Sequence, residues 1–162
     1  MKFSLAALGP LAALAGVCSA NFDLYRSESH NLFGGVGQNW GVFPYDPSCA
    51  EVGRTRSYPV SGDVSGNKIG VRCSGDCDMG GRADGINQLE MHFSNNPLYH
   101  FTLYKERGHP YKMYGLDGRV YGECILFPGN AYNCPNAGAL FGHRKFRCLT
   151  SISAGQINSA GW

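Results

Sequence analysis

Seven cysteines, one in an apolar leader and six in the body, constrain this chain more than any other feature of its sequence. Cys18 lies in the leader, and Cys49, Cys73, Cys77, Cys124, Cys134 and Cys148 lie beyond it. Loss of the leader turns an odd count into an even one, the parity that an oxidised protein with every thiol paired requires. The parity predicts a secreted, extracellular product with three disulfides. Spacing argues against metal chemistry. Cys73-Ser74-Gly75-Asp76-Cys77 is C-x3-C, and the other four cysteines lack a close C-x2-C partner, so no structural zinc site is expected. Six cysteines allow about 15 connectivities, and the sequence leaves all of them open.

The leader begins with the lone base Lys2 and runs through Phe3 to Val17 as an Ala/Leu-rich stretch. That is a signal-peptide core, too short for the roughly 20 residues that span a bilayer. Cys18 and Ala20 flank Ser19 in an A-x-A-like pattern, which places cleavage after Ala20, while Val17 is a poor neighbour for a lipidated cysteine. No second apolar run of spanning length follows. The expected division is therefore a signal peptide over 1–20 and one disulfide-stabilised domain over 21–162, monomeric and without a membrane span.

The whole chain carries a net charge of +2, so neither nucleic acid nor an anionic membrane is implied globally. The distribution is uneven: residues 21–90 hold six basic and nine acidic side chains, and residues 91–162 hold seven and three. With 23 glycines and few charged residues, the composition suits short strands and tight turns better than long helices. The expected fold is mainly β, with room for one or two short helices, built as a small antiparallel sheet, barrel or sandwich stapled by disulfides.

Strand alternation marks 22–26, 68–73 and most clearly 98–106, where Tyr99, Phe101 and Leu103 share one face. Ser94-Asn95-Asn96-Pro97 reads as a hairpin loop, and Leu116-Asp117-Gly118 as a reversal. Residues 86–93 are ambiguous. Leu89, Met91 and Phe93 alternate as a strand would, yet Ile86, Leu89 and Phe93 also fit a helical face that Asp84 would cap. Residues 31–56 read as an irregular stretch anchored by Cys49.

Asp76, Asp78 and Asp84 gather in a glycine-rich loop. The carboxylates suggest calcium, but Gly80 stands where an EF-hand needs a ligand, so a solvated turn is the plainer reading, and no metal or cofactor is expected.

For catalysis the chain offers His30, His92, His100, His109 and His143 beside Glu90, Glu106 and Glu123. On a strand, Glu90 and His92 project from one face as a base and acid pair. A hydrolase reading therefore assembles Glu90, His92, His143 and Arg147, with Arg119 and Arg144 as other candidates to stabilise phosphorane charge. Residues 141–148 form the densest basic cluster. In strand geometry His143, Lys145 and Arg147 point one way and Arg144, Phe146 and Cys148 the other, a cationic stripe that either meets an anionic partner or protects an edge strand from aggregation. Tyr104, Tyr111, Tyr114, Tyr121 and Tyr132 supply aromatic surface in the same half. The candidate binding set is Tyr111, Tyr114, His143, Arg144, Lys145 and Arg147.

A leader, a short mature chain, six cysteines, abundant glycine and tyrosine and no hydrolase signature together resemble the small cysteine-rich effectors and toxins that fungi secrete. More narrowly, Ile69-Gly70-Val71-Arg72-Cys73-Ser74-Gly75, then Ile86-Asn87-Gln88-Leu89 and Tyr114-Gly115 ahead of Cys124, is similar to the killer-toxin-like secreted family over about half the mature chain. The Cys73 to Cys77 interval is shorter than that family's, and the C-terminal segment does not match it. The resemblance implies a non-enzymatic binder of a host or competitor protein or glycan. The alternative is a secreted ribonuclease-like hydrolase, and only that alternative takes nucleic acid as its partner.

Overall fold

A computed structural model describes residues 20–161 except His109 and Ala137. The expected leader, with Cys18, lies outside the described residues, as does the candidate His109. The elements are β1 (Phe22–His30), β2 (Val36–Phe43), α1 (Cys49–Val52), β3 (Ser57–Pro59), β4 (Gly70–Gly75), β5 (Ile86–Asn95), β6 (Leu98–Tyr104), β7 (Tyr111–Gly115), β8 (Val120–Leu126), β9 (Ala131–Asn136), β10 (Gly138–Thr150) and α2 (Ala154–Ser159). All strands belong to one antiparallel sheet in the order β3-β2-β1-β10-β8-β7-β6-β5-β4, with β9 paired to β10. Val60 and Val71 form a parallel bridge, and the Ser61 amide donates to the Val71 carbonyl at 3.0 Å, so the two outermost strands meet and the sheet curls into a nearly closed barrel. The fold is mainly β, as the composition required.

Alternation places Phe22 and Leu24 of β1 inside the barrel with Trp40, Leu89, Leu103 and Phe146, all fully buried. A second, smaller core lies outside, where Tyr25 and Phe43 pack beneath α1 and β9 with Val52 and Tyr132. Both faces of β1 from Phe22 to Ser27 and of β2 from Trp40 to Phe43 are therefore covered. That explains why residues 31–56 looked irregular from sequence and yet contain strand β2 and helix α1: Gly37 and Gly41 interrupt the alternation, and the Phe43 ring lies 2.6 Å from where a Gly41 Cβ would sit.

Bulges account for the other differences. Residues 86–93 are strand, not helix. Ser74 faces Gln88 and Gly75 faces Ile86, which leaves Asn87 as an extra residue and puts Ile86 and Leu89 on the same side at a spacing that imitates a helix. Asp84 caps nothing; it sits in a 3-10 turn and pairs with Arg82. Residues 98–104 form the expected strand, and the last two positions of the predicted segment turn instead into a 3-10 helix. The two hairpins fall where the turn residues put them, linking β5 to β6 and β7 to β8.

The six cysteines pair Cys49 with Cys134, Cys73 with Cys77 and Cys124 with Cys148. The first ties α1 to β9 across the outer core. The second closes the loop after β4. The third joins directly opposed residues of β8 and β10.

Candidate functional site

The barrel has two ends, and the chain closes them differently. At one, α2 lays Ala154 and Ile157 on the core near Phe22 and Phe93, held by the Tyr58 hydroxyl on the Ile157 carbonyl (3.3 Å). At the other, residues 76–82, tethered by the Cys73 to Cys77 bridge, fold over the mouth. Arg26, next in alternation after Phe22 and Leu24, donates from Nε to the Cys77 carbonyl (3.0 Å). Lys145 Nζ donates to the carbonyls of Asp78 (3.1 Å), Met79 (2.9 Å) and Gly81. The loop that suggested a calcium site thus presents its carbonyls to an ammonium. Burial holds both Arg26 and Lys145 below their ordinary pKa, with partial compensation from nearby acids, Asp76 and Asp78 beside Lys145 and Glu28 and Asp78 beside Arg26.

Beside this plug lies an open cleft of about 500 Å³ between residues 80–84, the β8 to β9 loop and residues 143–145 of β10. His143 is exposed there, opposite Arg26 in the β1 to β10 ladder. Leu126 and Pro128 give it an apolar flank, and the Arg82 and Asp84 ion pair (2.5 Å) lies across from them. The hydrogen bond from Arg82 holds the Asp84 carboxyl below the usual carboxylate range. Every wall is tied to another. The Arg144 amide donates to the Asn130 carbonyl at 2.9 Å, the Asn130 side chain donates to Asp46, and Lys145 grips the plug.

The basic stripe of β10 is not a free cationic surface, and β10 is not an edge strand, because β1 lies on one side of it and β8 and β9 on the other. Leu24 faces Phe146 and Tyr25 faces Arg144, so Lys145 is bulged and the alternation of the strand reverses. Arg144 and Arg147 consequently share a side and a partner. The fully buried Asp23 carboxylate accepts from Arg144 Nη1 (3.1 Å), Arg147 Nε (2.6 Å) and Arg147 Nη2 (2.8 Å). Arg144 also binds Asp46 (2.6 Å) and the Phe127 carbonyl (2.7 Å). Of the candidate binding set, His143, Arg144 and Lys145 line the cleft, and only His143 among these three is exposed. Tyr111 is wholly buried, its hydroxyl bonded to the Ile86 carbonyl (3.2 Å), which leaves no ring face for a partner. Tyr114 is half-buried on β7, where the Arg107 guanidinium lies against both it and Tyr104, at 4.6 and 4.2 Å from the ring centres.

The expected catalytic quartet does not assemble. Glu90 and His92 lie on β5, whereas His143 and Arg147 lie on β10, with β6, β7 and β8 between them in the sheet. His92 is fully buried, with Nδ1 at 3.0 Å from the Val64 carbonyl and Nε2 at 3.0 Å from Asn95 Oδ1. Glu90 instead meets His100 Nε2 at 2.9 Å through one oxygen and Arg72 Nε at 2.9 Å through the other. The His100 ring stacks on His92 at 4.4 Å between centres. Burial lowers the His100 pKa, and the Glu90 hydrogen bond only partly opposes it. This array was concealed from sequence reasoning by another bulge. Counting back from the hairpin turn sets Phe93 against His100, and only because Phe93 is an extra residue in β5 does His92 face His100 with Glu90 diagonal to it. Arg72 needed the β4 to β5 register, which the bulge at Asn87 conceals.

Fold and site together define a disulfide-stapled, barrel-like β protein with a plugged end and an adjoining open cleft. No protein-family model, no curated protein and no solved structure matches the chain. Among the described residues no helix is long and apolar enough to cross a membrane, and no group of three or more His, Cys, Asp or Glu side chains is placed to hold a metal ion.

Proposed function

We propose that this is a small secreted binding protein of the effector or toxin-like type, which captures a host or competitor protein or glycan in the cleft beside the plugged barrel end. One observation carries the reading: the three segments walling the cleft are already locked to one another through Lys145, Arg144, Asn130 and the Cys73 to Cys77 bridge. A cleft whose shape exists before its ligand arrives avoids the ordering entropy of association. The cysteine parity and the similarity to killer-toxin-like proteins support the extracellular and toxin-like parts of the proposal.

The test is capture of a partner from a candidate host with the oxidised protein, compared with the Gly80→Trp variant. Gly80 lines the cleft and has open space around the position of a Cβ, so an indole is accommodated at the cleft without disturbing the fold. Loss of capture at unchanged thermal stability is expected. Undiminished capture by Gly80→Trp places binding elsewhere and ends the proposal for this cleft.

A second reading, a secreted ribonuclease-like hydrolase, is favoured by the convergence of Glu90, His100 and Arg72. A carboxylate and an imidazole in contact, beside an arginine whose side chain is half exposed, are the parts of a general acid and base with an anion-binding group. Cleavage of RNA by the oxidised protein, abolished in both Glu90→Gln and His100→Ala, would establish it. Absence of cleavage by the wild type removes it.

A further inference from the structure

The turn between β1 and β2 projects three apolar side chains into solvent: Leu32 is 81 % exposed, Phe33 98 % and Val36 53 %. Apolar residues scattered singly on a surface need no explanation, but three on one hairpin tip form a patch. The surroundings of the patch are unusual in charge. From Ser29 to Tyr45 there is no Asp, Glu, Lys or Arg, and the first acid inward, Glu28, is engaged with His30 at 3.5 Å. The backbone of the turn is bonded within itself. Asn31 Oδ1 accepts from the amides of Phe33 (3.0 Å) and Gly35 (2.8 Å), the Asn31 carbonyl accepts from Gly34 (3.1 Å), and the Asn31 amide donates to the Gly35 carbonyl (2.9 Å). Gly34 permits this closure with φ +82°, a conformation that side chains rarely adopt.

We propose that this tip inserts into the interface of an electrically neutral phospholipid bilayer, as an anchor separate from the cleft. Two features select lipid over a protein pocket. An apolar protein pocket supplies hydrogen-bond partners at its rim, whereas the acyl boundary supplies none, so a turn that pairs its own amides, as it does those of Asn31, Phe33, Gly34 and Gly35, enters lipid with few of them stranded. The absence of charge lets the tip enter a low-dielectric layer without desolvating an ion, and deprives it of any attraction to anionic headgroups. The side chains of Leu32, Phe33 and Val36 hold no more hydrocarbon than a myristoyl chain, and Val36 is only half exposed, so the partition constant should stay below about 10⁴ M⁻¹ and act together with binding at the cleft.

The experiment is partition of the oxidised protein onto phosphatidylcholine vesicles, followed by sedimentation, together with a Phe33→Trp variant whose emission, after subtraction of the wild-type signal from Trp40 and Trp162, reports the depth of residue 33. The wild type should partition. The Leu32→Ser and Phe33→Ser double variant, with unchanged thermal stability, should partition about tenfold less or weaker. Salt and added anionic lipid should change partition less than about twofold. On vesicles the Phe33→Trp emission should shift to the blue and be quenched by nitroxide-labelled acyl chains. No partition at millimolar lipid, partition that requires anionic lipid, or partition unaffected by the double substitution overturns the proposal. So does a dimer in sedimentation equilibrium that the double substitution dissolves, since that assigns the tip to a second copy of the chain.

Discussion

Removal of the Asp23 carboxylate tests the organisation of the outer core and the cleft wall together. Asp23 is fully buried and accepts three hydrogen bonds from two guanidinium groups. Breaking a buried ion pair from one side typically destabilises by about 3–5 kcal/mol, because the remaining charge stays buried without its partner. Here the lower end applies. Arg144 keeps Asp46 and the Phe127 carbonyl, and Arg147, whose side chain is 30 % exposed, can turn its head to water. Asp23→Ala is therefore expected to lose about 3 kcal/mol in urea denaturation of the oxidised protein with an unchanged m-value, and Tm should fall by roughly 10 °C. The same reasoning makes a second, sharper statement. Replacing the whole group, with Asp23→Leu, Arg144→Met and Arg147→Leu together, leaves no buried orphan charge, since Asp46, which loses Arg144, is half exposed, and should recover at least half of the loss. A single substitution that costs less than about 1 kcal/mol, or a triple variant no more stable than the single one, would refute the claim that Asp23 exists to neutralise the two arginines.

Three other outcomes follow from the same structure. Replacing each cystine by a pair of alanines should destabilise in order of the loop it closes, by about 2 kcal/mol for Cys73 and Cys77, about 3.5 for Cys124 and Cys148 and about 4.6 for Cys49 and Cys134 on the chain-entropy account, and denaturation of the three variants would expose any other ranking. Because burial depresses the His100 pKa, the unfolded chain takes up a proton near pH 6.5 that the folded protein refuses until lower pH. Stability is then fully present above that value and declines as the pH drops below it, and Tm measured from pH 7 to pH 5 should fall more steeply for the wild type than for His100→Gln. At Gly75, φ is +94° and a Cβ would lie 2.3 Å from the Gly85 carbonyl oxygen, so Gly75→Ala should lose more than about 2 kcal/mol by thermal or urea denaturation, a strain that must spread into the plug.

Much of the sheet was readable from residue pattern. The strands beginning at Phe22 and Leu98 alternate because one face meets the barrel core, and the reversals at Asn96-Pro97 and Asp117-Gly118 are local chemistry. What escaped was whatever a bulge displaced. The extra residue at Asn87 made a strand look helical, and the one at Lys145 joined two arginines that alternation would have put on opposite faces. A bulge is one residue long and leaves no periodic trace, yet it re-aims every side chain beyond it. Strand β2 was hidden for a different reason: Gly37 and Gly41 interrupt its alternation, and its buried half, Trp40 to Phe43, has cores on both faces and so no polar side to display.

Cysteine number, glycine content and the local turns settled on their own that this chain would be β-rich and disulfide-stapled, since those properties depend on composition and on neighbours within a few residues. Which cysteines pair, which acid meets which base and where a cleft opens depend on register between strands far apart in sequence. Glu90 found His100 and Arg72 in place of His92, His143 and Arg147, and the calcium-like loop received a lysine from a strand more than sixty residues away. Long-range pairing is decided by the barrel as a whole, where burying the apolar faces allows only one register, and the polar side chains take the partners which that register leaves them.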